Sequence, residues 1–303
     1  MKLIVILGPT ATGKTKLASA LAYCISGEII SADSRQVFKR MDIGTGKDLK
    51  DYIVNEKNIP HHLIDIFEPG EEFSVFDFQK EFIKAFNNIT SRKKIPILCG
   101  GTGLYLESVL KPYVFHDVPE NKKLREKLDD KSDDELKIIL GKKIKLHNTT
   151  DTVNRERLLR ALEIAEFQSS QKENNLEFPK FEPFVFGINA DRKKLREQIT
   201  SRLRERIHFG MLEEVEALLK EGIKPERLKS YGLEYKFVTQ YLLNEIDIDT
   251  MFSLLNTAIH QFAKRQMTWF RHMERNGTNI RWIDMELPLD DKVKIIIEQS
   301  GLK

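Results

Sequence analysis

The sequence predicts an α/β fold, with a parallel sheet flanked by helices and a small helical insertion. Short apolar runs alternate with segments of helical periodicity through the first hundred residues, the pattern of strands joined by crossover helices. A phosphate-binding loop, Gly8–Thr15, directly follows the first apolar run. From Asn121 to Lys145 strand-like runs are absent, charged residues are frequent, and leucines recur at helical spacing. We therefore expect a sheet-based core interrupted by helices.

The elements of the first half are predicted in order from these patterns. Apolar residues make the first strand, Leu3–Leu7, and leucines and alanines at helical spacing make a helix from Lys14 to Ser26 that ends near Gly27. Short apolar runs then predict three strands, and phenylalanines on one side predict a helix before the last of them. These strands are Glu28–Ala32, His62–Ile66 and Ile95–Cys99, and the helix is Phe73–Ile89.

The second half is predicted to be mostly helical. A helix over Thr152–Phe167 is followed by a polar segment, 169–177, that we expect to be a mobile loop. Phe184–Ile188 is predicted to be a strand that returns to the sheet. Helical sequence then runs from Asp191, through Met251–Met273, to a last apolar run at Lys292–Ile297. We expect a discontinuous core, 1–116 with 177–303, and an insertion over 117–176.

Composition excludes several classes of protein. The chain has 303 residues, 41% of them hydrophobic and 31% charged, and a formal net charge of +3. We expect no membrane span, because no apolar stretch approaches the length of roughly 20 residues that a span needs. We expect no signal peptide, because Met1-Lys2 leads directly into the first predicted strand. Cys24 and Cys99 show neither metal-site nor disulfide spacing. A cytoplasmic location is the expectation.

The phosphate-binding loop is the most specific motif. In a strand–loop–helix context the glycines let backbone N–H groups surround an anion, and Lys14 neutralises its charge. The Thr15 hydroxyl is a candidate Mg²⁺ ligand. The motif thus predicts binding of a di- or triphosphate, as in ATP-binding proteins.

An acidic residue follows the second predicted strand. Asp33 lies at the carboxyl edge of the sheet, where ligands bind in this architecture. It is a candidate to hold a metal through water or to accept a proton, and the alternative is a turn or helix-capping aspartate. The glycine-rich turn Gly100–Tyr105 follows another strand and is expected to line the same crevice.

The remaining polar motifs allow two interpretations each. Cys99 is expected to be a small buried apolar residue rather than a nucleophile, and His61-His62 is not expected to bind metal, although one ring is a candidate to face the crevice. The basic stretches Arg192–Arg206 and Lys264–Arg275 either bind phosphates or form solvated helix faces. Phe262, Trp269 and Phe270 interleave with the second stretch. They either stack on bases or pack within the protein, since Ile259, Phe262, Ala263 and Phe270 form one stripe of the helix.

Taken together, these motifs resemble the bacterial tRNA dimethylallyltransferases, also called the tRNA isopentenyltransferase or IPP transferase family. The matching blocks lie in the family's order from residue 8 to residue 271. They are Gly8–Thr15, Ser31–Phe38, Met41–Thr45, His61–Asp65, Gly100–Tyr105, Asn154–Glu163 and Phe262–Arg271.

The resemblance implies a nucleotide-kinase-like core and a defined reaction. A dimethylallyl group is transferred from dimethylallyl diphosphate to N6 of adenosine 37, which lies 3′ to the anticodon in tRNAs that read codons beginning with U. Diphosphate is released, Mg²⁺ is the implied cofactor, and the tRNA anticodon stem-loop is the implied partner. The target base is expected to leave its stack before reaction. We expect a monomer with no membrane association.

The resemblance also implies roles for individual residues. Asp33 is the implied base, Lys14 and Thr15 stabilise the departing diphosphate, and Arg202 clamps it, with Arg206 as the alternative. The family commonly has arginine where this chain has Gln198. The implied diphosphate-binding residues are Gly8, Pro9, Thr10, Ala11, Thr12, Gly13, Lys14 and Thr15. The implied tRNA contacts are Asp33, Ser34, Arg35, Gln36, Thr102, Glu156, Arg157, Leu158, Leu159, Arg160, Tyr231, Gly232 and Lys236, and the insertion is expected to contact the anticodon arm.

Two rival functions share parts of this pattern. An ATP-dependent small-molecule or nucleoside kinase would use the same loop and Asp33, but it has no need for the second half of the chain. A non-enzymatic RNA-binding module is the other alternative. Transfer of label from dimethylallyl diphosphate to tRNA separates the three.

Overall fold

The computed structural model describes residues 1–111, 118, 120–143, 155–170 and 177–302, with the side chains of 168–170 left out. It divides into two compact units, Met1–Tyr113 with Phe178–Lys303, and Val114–Glu177. Asn154 and most of the polar segment expected to form a loop after the insertion lie outside the described residues.

The first unit is built on a six-stranded parallel sheet. Its strands are β1 (Lys2–Leu7), β2 (Glu28–Ala32), β5 (His61–His62), β6 (Pro96–Gly100), β7 (Glu182–Asn189) and β8 (Ile280–Asp284). Their spatial order is β5-β2-β6-β1-β7-β8. The carboxyl ends of β2, β6 and β1 are therefore adjacent, which places the residues that follow these strands at one edge of the sheet.

Helices cover both faces of this sheet. The helices of the unit are α1 (Lys14–Ile25), α2 (Val75–Ser91), α3 (Gly103–Leu110), α7 (Arg192–His208), α8 (Met211–Lys220), α9 (Pro225–Ser230), α10 (Leu233–Leu242), α11 (Ile248–Arg275) and α12 (Leu289–Ser300). Phe78, Phe82 and Phe86 of α2 pack on one face, and Leu17 and Leu21 of α1 on the other. A third core lies among α7 to α11. No helix in the described ranges is both long and apolar enough to cross a membrane.

Two features of this unit differ from the prediction. The strand expected over His62–Ile66 ends at His62, because Leu63 and Asp65 have φ angles of 64° and 55°, which extended backbone does not allow. Strand β8 was not predicted, since Arg281 interrupts its three apolar residues, Ile280, Trp282 and Ile283. It pairs in parallel with β7 at the sheet edge.

The segment between β2 and β5 contains the short hairpin β3 (Ile53–Val54) and β4 (Lys57–Asn58), preceded by a 3₁₀ turn, Leu49–Tyr52.

The second unit contains three described helices. They are α4 (Lys122–Leu128), α5 (Asp133–Lys143) and α6 (Arg155–Ser170). Leu136 and Leu140 of α5 pack against Leu158 and Leu162 of α6, so the helical leucine spacing read from the sequence forms a small core of its own. The helix expected over Thr152–Phe167 is α6, which begins at Arg155 in the described residues.

Candidate functional site

The phosphate-binding loop joins β1 to α1. Gly13 has a φ of 72°, a left-handed conformation that favours glycine, and it caps the N-terminus of α1. The Thr12 hydroxyl donates a hydrogen bond to the Pro9 carbonyl at 2.9 Å and closes the loop on itself. The backbone N–H groups of the first helical turn are thereby directed toward the space above the loop, an arrangement that binds anions.

Lys14 lies at the base of this space. Its ammonium group donates to the Pro9 carbonyl at 2.6 Å. Burial, together with the charge of Arg202, lowers the pKa of Lys14 to about 8, while Cys99 and Asp33 oppose the shift. The loop therefore holds a desolvated cation close to a second one, which an anion would stabilise.

A cavity of about 1050 Å³ opens above the loop. Its wall is formed by the loop, the carboxyl ends of the central strands, the segment before the 3₁₀ turn, and one face each of α7 and α11. Among the lining residues are Thr10, Ala11, Thr12, Gly13, Lys14, Thr15, Asp33, Arg35, Gln36, Asp48, Asp51, Cys99, Gly100, Gly101, Gln198, Arg202, Arg206, Phe262 and Gln266. The structure thus brings Asp33 and Thr10–Thr15 to one cavity, whereas Gly8 and Pro9 of the predicted diphosphate set do not line it. Of the turn Gly100–Tyr105, which was expected to line the same crevice, Gly100 and Gly101 do.

The end of β2 and the end of β6 are joined above the loop. The Asp33 carboxylate accepts a hydrogen bond from the Arg35 N–H at 2.9 Å, which orients it in a turn. The Thr102 hydroxyl accepts from the Ser34 N–H at 3.2 Å. A Cβ on Gly100 would lie 2.3 Å from the Ala32 carbonyl oxygen, so only glycine allows the two strand ends to approach this closely.

Gln266 of α11 is a site residue that the sequence did not indicate. Its side-chain oxygen accepts from the Thr10 N–H at 2.9 Å, and its amide nitrogen donates to the Gly101 carbonyl at 2.9 Å. The amide therefore joins the phosphate-binding loop to the turn beside Asp33. The available signal was a polar residue on the buried side of α11, between Ala263 and Phe270.

The segment 42–48 is anchored by one buried and one half-buried charge that the sequence also did not indicate. The Lys47 side chain is fully buried, donates to the Phe38 carbonyl and to Asp42 at 2.6 Å each, and also pairs with Asp65. The Glu214 carboxylate accepts three backbone N–H bonds, from residues 42, 43 and 44, at 2.7 to 2.9 Å. It also accepts from the Tyr235 hydroxyl at 2.7 Å.

Two arginines of α7 extend into the cavity. Arg202 forms an ion pair with Asp48. Arg206 lies 3.8 Å from the Glu234 carboxylate, and burial, together with the charge of Arg202, lowers its pKa to about 10. Both implied candidates for the diphosphate clamp are therefore present at the same wall.

The residues of the core implied to contact tRNA are largely held by the protein. Arg35 pairs with Glu234 at 2.6 Å, and its guanidinium lies 5.5 Å from the centroid of the Phe262 ring. Buried Gln36 donates to the Gly46 carbonyl at 3.1 Å, and the hydroxyl of buried Tyr231 donates to the Glu71 carbonyl at 3.0 Å. A Cβ on Gly232 would approach Arg35 to 2.8 Å, while Lys236 is exposed.

The implied contacts in the insertion differ in exposure. Leu158 is fully buried in the core of the insertion. Exposed Glu156 pairs with Arg125 at 2.9 Å. Arg160 donates to the Val118 carbonyl at 2.7 Å and pairs with Glu163 at 3.1 Å, Arg157 is exposed and Leu159 is half-buried.

The structure decides between the two interpretations of Cys99 and of the His61-His62 pair. Cys99 is buried in the cavity wall, and burial raises the pKa of its thiol to about 12, which agrees with an inert residue. His62 contacts Glu28 at 2.8 Å and His61 packs on Tyr52, so neither ring lines the cavity, contrary to one expectation.

Of the packing stripe that was one of the two interpretations, Ile259, Ala263 and Phe270 are buried, and Phe262 departs from it. Phe262 lines the cavity, the Trp269 indole N–H donates to Glu107 at 2.9 Å, and only Phe270 is fully buried. Helical position alone grouped Phe262 with Ile259 and Ala263, whereas the structure turns its ring toward Arg35.

Comparison with known proteins agrees with these features. A family model described as "IPP transferase" matches residues 36–273, and one described as "Isopentenyl transferase" matches residues 1–60. The chain is 54% identical to tRNA dimethylallyltransferase 2 of Phocaeicola vulgatus over 97% of this chain and 96% of that protein. It is also 54% identical to tRNA dimethylallyltransferase 2 of Trichlorobacter lovleyi, over 93% and 92% of the two chains.

Solved structures show the same fold. The full-length tRNA isopentenylpyrophosphate transferase of Bacillus halodurans superposes with a TM-score of 0.71 at 31% identity, over 99% of this chain and 96% of that one. A eukaryotic dimethylallyltransferase acting on tRNA superposes with a TM-score of 0.74 at 25% identity, over 94% and 74% of the two chains.

Proposed function

This chain belongs to the IPP transferase family, and from that premise we propose that it prenylates tRNA. It transfers the dimethylallyl group of dimethylallyl diphosphate to N6 of adenosine 37, 3′ to the anticodon, in tRNAs that read codons beginning with U. The observation that carries the proposal is one cavity that holds both the phosphate-binding loop and Asp33. The relatives are named as transferases of this kind, and none of those compared supports the kinase alternative.

The reaction follows from the charges that line the cavity. N6 of adenosine attacks the first carbon of the dimethylallyl group, the carbon–oxygen bond breaks, and the bonding electrons leave with the diphosphate. Asp33 accepts the proton that N6 loses. Negative charge grows on the diphosphate as the bond breaks, so the loop N–H groups and Lys14 stabilise the transition state more than the ground state.

The donor atoms near the loop fit a divalent cation. The Thr15 hydroxyl and the carboxylates of Asp33 and Asp51 line the cavity, and oxygen ligands of this kind suit Mg²⁺. Burial, followed by the charge of Asp48, raises the pKa of Asp51, so a nearby cation would favour its charged form. Bound Mg²⁺ would supply positive charge against the diphosphate, and Thr15 is its proposed ligand.

Recognition of the anticodon stem-loop is proposed for both units. In the core, exposed Lys236 and the segment Asp33–Gln36 near Thr102 are the proposed contacts, with Tyr231 and Gly232 positioning Arg35. In the insertion, the exposed residues of the Glu156–Arg160 segment are proposed to contact the anticodon arm. The adenosine would have to leave its stack to reach Asp33, and single-stranded loops permit this at low cost. We further propose a cytoplasmic monomer.

The test is transfer of label. The chain is incubated with dimethylallyl diphosphate labelled in the allyl group, Mg²⁺ and bulk tRNA, and the tRNA is digested to nucleosides. We expect label in an N6-modified adenosine, with release of one diphosphate per group transferred. Binding of tRNA without product would favour an RNA-binding module, and phosphate transfer from ATP without prenyl transfer would favour a kinase.

A further inference from the structure

Three residues of α7 line one strip of the cavity wall. Gln198, Arg202 and Arg206 are spaced four residues apart, so they lie on the same face of the helix, and all three line the cavity above the phosphate-binding loop. On the adjoining face of the helix, Leu195, Ile199 and Leu203 are buried in the helical core. The strip therefore carries two cations on a helix that packing holds in place.

The two arginines differ in how the protein satisfies them. Arg202 is neutralised by its ion pair with Asp48. Arg206 lies 3.8 Å from Glu234, but that carboxylate is already bound at 2.6 Å by Arg35. The Arg206 side chain is 14% exposed, and its buried Nε atom has no hydrogen-bond partner within the described part of the chain. A buried guanidinium nitrogen without an acceptor is costly, and an anionic ligand would relieve that cost.

The backbone opposite Arg206 leaves room for this guanidinium. A Cβ on Gly46 would lie 1.8 Å from the Arg206 Nη2 atom, and Gly46 also has a φ of 68°. The segment carrying Gly46 is fixed by Glu214 and Lys47. The position of the Arg206 side chain is thus set from both sides, by α7 and by this segment.

We propose that Arg206 is a direct ligand of the substrate diphosphate in this chain, sharing the group with Lys14 and Arg202. The charge of Arg202 lowers the pKa of both Lys14 and Arg206, so all three cations lie near the same part of the cavity that they line. A diphosphate has enough anionic oxygens to accept from three cations at once. Neutral Gln198 leaves the third position of the strip without charge. The proposal rests on the proposed function and names a further residue that binds its leaving group.

The test compares Arg206→Met and Arg206→Lys with Arg204→Met in the full chain. Arg204 is an exposed arginine of the same helix, with its guanidinium 5.7 Å from the Phe252 ring centroid, and it does not line the cavity. Affinity for inorganic diphosphate is measured by calorimetry, and KM is measured separately for dimethylallyl diphosphate and for tRNA. Thermal unfolding reports whether each variant folds.

We expect Arg206→Met to weaken diphosphate binding by about tenfold or more, the size of one lost charge-assisted contact. KM for dimethylallyl diphosphate should rise in parallel, while KM for tRNA stays unchanged. Arg206→Lys should recover part of the affinity, because it keeps the charge but not the planar guanidinium, and Arg204→Met should bind like the parent chain.

Two results would overturn the assignment. One is unchanged affinity for diphosphate in both Arg206 variants. The other is an equal loss of affinity for diphosphate and tRNA, which would give Arg206 a packing role only. Failure of the proposed function looks different: the parent chain would transfer no prenyl group, whatever the effect of Arg206 on binding of diphosphate.

Discussion

The side-chain oxygen of Gln266 accepts a hydrogen bond from the backbone N–H of Thr10 at 2.9 Å. The nitrogen of the same amide donates to the Gly101 carbonyl at 2.9 Å. One side chain of α11 thus spans the diphosphate-binding loop and the turn beside Asp33, the two places where leaving group and nucleophile are expected to bind. A catalytic geometry needs both places held to within a fraction of an ångström, and this amide fixes their separation.

Replacing Gln266 by Glu should lower kcat for prenyl transfer more than it raises either KM. The carboxylate of Glu still accepts a hydrogen bond from the Thr10 N–H, so the phosphate-binding loop keeps its position. Its second oxygen faces the Gly101 carbonyl, which is also an acceptor, and the two repel each other. The turn that contains Gly101 therefore shifts. We expect kcat to fall by about 10- to 100-fold, the order of effect that misplacement by about 1 Å produces. Steady-state kinetics measure it, with Gln261→Glu, at an exposed position of the same helix, as the control.

Replacing Asp33 by Asn should abolish most of the transfer while leaving binding intact. Asparagine keeps an oxygen that accepts from the Arg35 N–H, so the turn is preserved, but it does not take the proton from N6. General-base catalysis contributes about 10²- to 10⁴-fold, and single-turnover transfer should fall by that order. Asp48→Asn, which also removes a carboxylate of the cavity wall, is the comparison. Full single-turnover activity in Asp33→Asn would contradict the assignment of the base.

Binding of diphosphate should take up protons above pH 8. Burial lowers the pKa of Lys14 from 10.5 to about 8, so above pH 8 the ligand-free protein loses this proton, and a bound anion restores it. Affinity for diphosphate should fall as pH rises from 8 to 10. Calorimetry at pH 9 in buffers of different ionisation enthalpy measures the uptake. In Lys14→Arg the side chain stays charged, so the difference between the two proteins excludes protons taken up by the diphosphate itself.

The lowered pKa of Lys14 also predicts how its contribution to the free energy of unfolding changes with pH. Between pH 8 and 10.5 the unfolded chain carries a proton on Lys14 that the folded chain has lost, so the Lys14 contribution to the free energy of unfolding rises with pH over that interval. Below pH 8 the cost of burying the charge is present in full. We measure the free energy of unfolding in urea at pH 7.5 and at pH 9.5. As pH rises between these values, this free energy should increase less, or decrease more, in Lys14→Arg than in the parent chain.

Replacing Glu214 by Ala should destabilise the chain and weaken binding of diphosphate together. The change leaves three backbone N–H groups of the segment 42–44 and the Tyr235 hydroxyl without their acceptor. We expect a loss of about 2–4 kcal/mol in the free energy of unfolding, from several charge-assisted hydrogen bonds that water partly replaces. Urea denaturation measures it. Glu216→Ala removes an exposed carboxylate of the same helix that pairs with Lys220, and it should change stability by less than about 0.5 kcal/mol.

Much of the site was predictable because its parts are local in sequence. Gly8–Thr15 directly follows the strand Leu3–Leu7, and a strand–loop–helix of this kind defines its own geometry. The positions of Asp33 and Gly100 were predictable for a related reason. Asp33 follows β2, Gly100 ends β6, and parallel strands end at one edge of the sheet. The prediction of a strand over His62–Ile66 was wrong because the backbone adopts a positive φ angle at Leu63. An apolar side chain does not indicate such a conformation in the sequence.

The sequence by itself therefore determined the four central strands of the sheet, the phosphate-binding loop and the acid at the end of β2, because hydrophobic periodicity and turn chemistry act over a few residues. Only the tertiary structure decided which distant side chains complete the site. Gln266 reaches Thr10 across 256 positions, Glu214 reaches Gly44 across 170, and Arg206 meets Gly46 from another helix. Each depends on how two elements pack, and a polar residue on a helix has the same periodicity whether water or a buried backbone N–H is its partner.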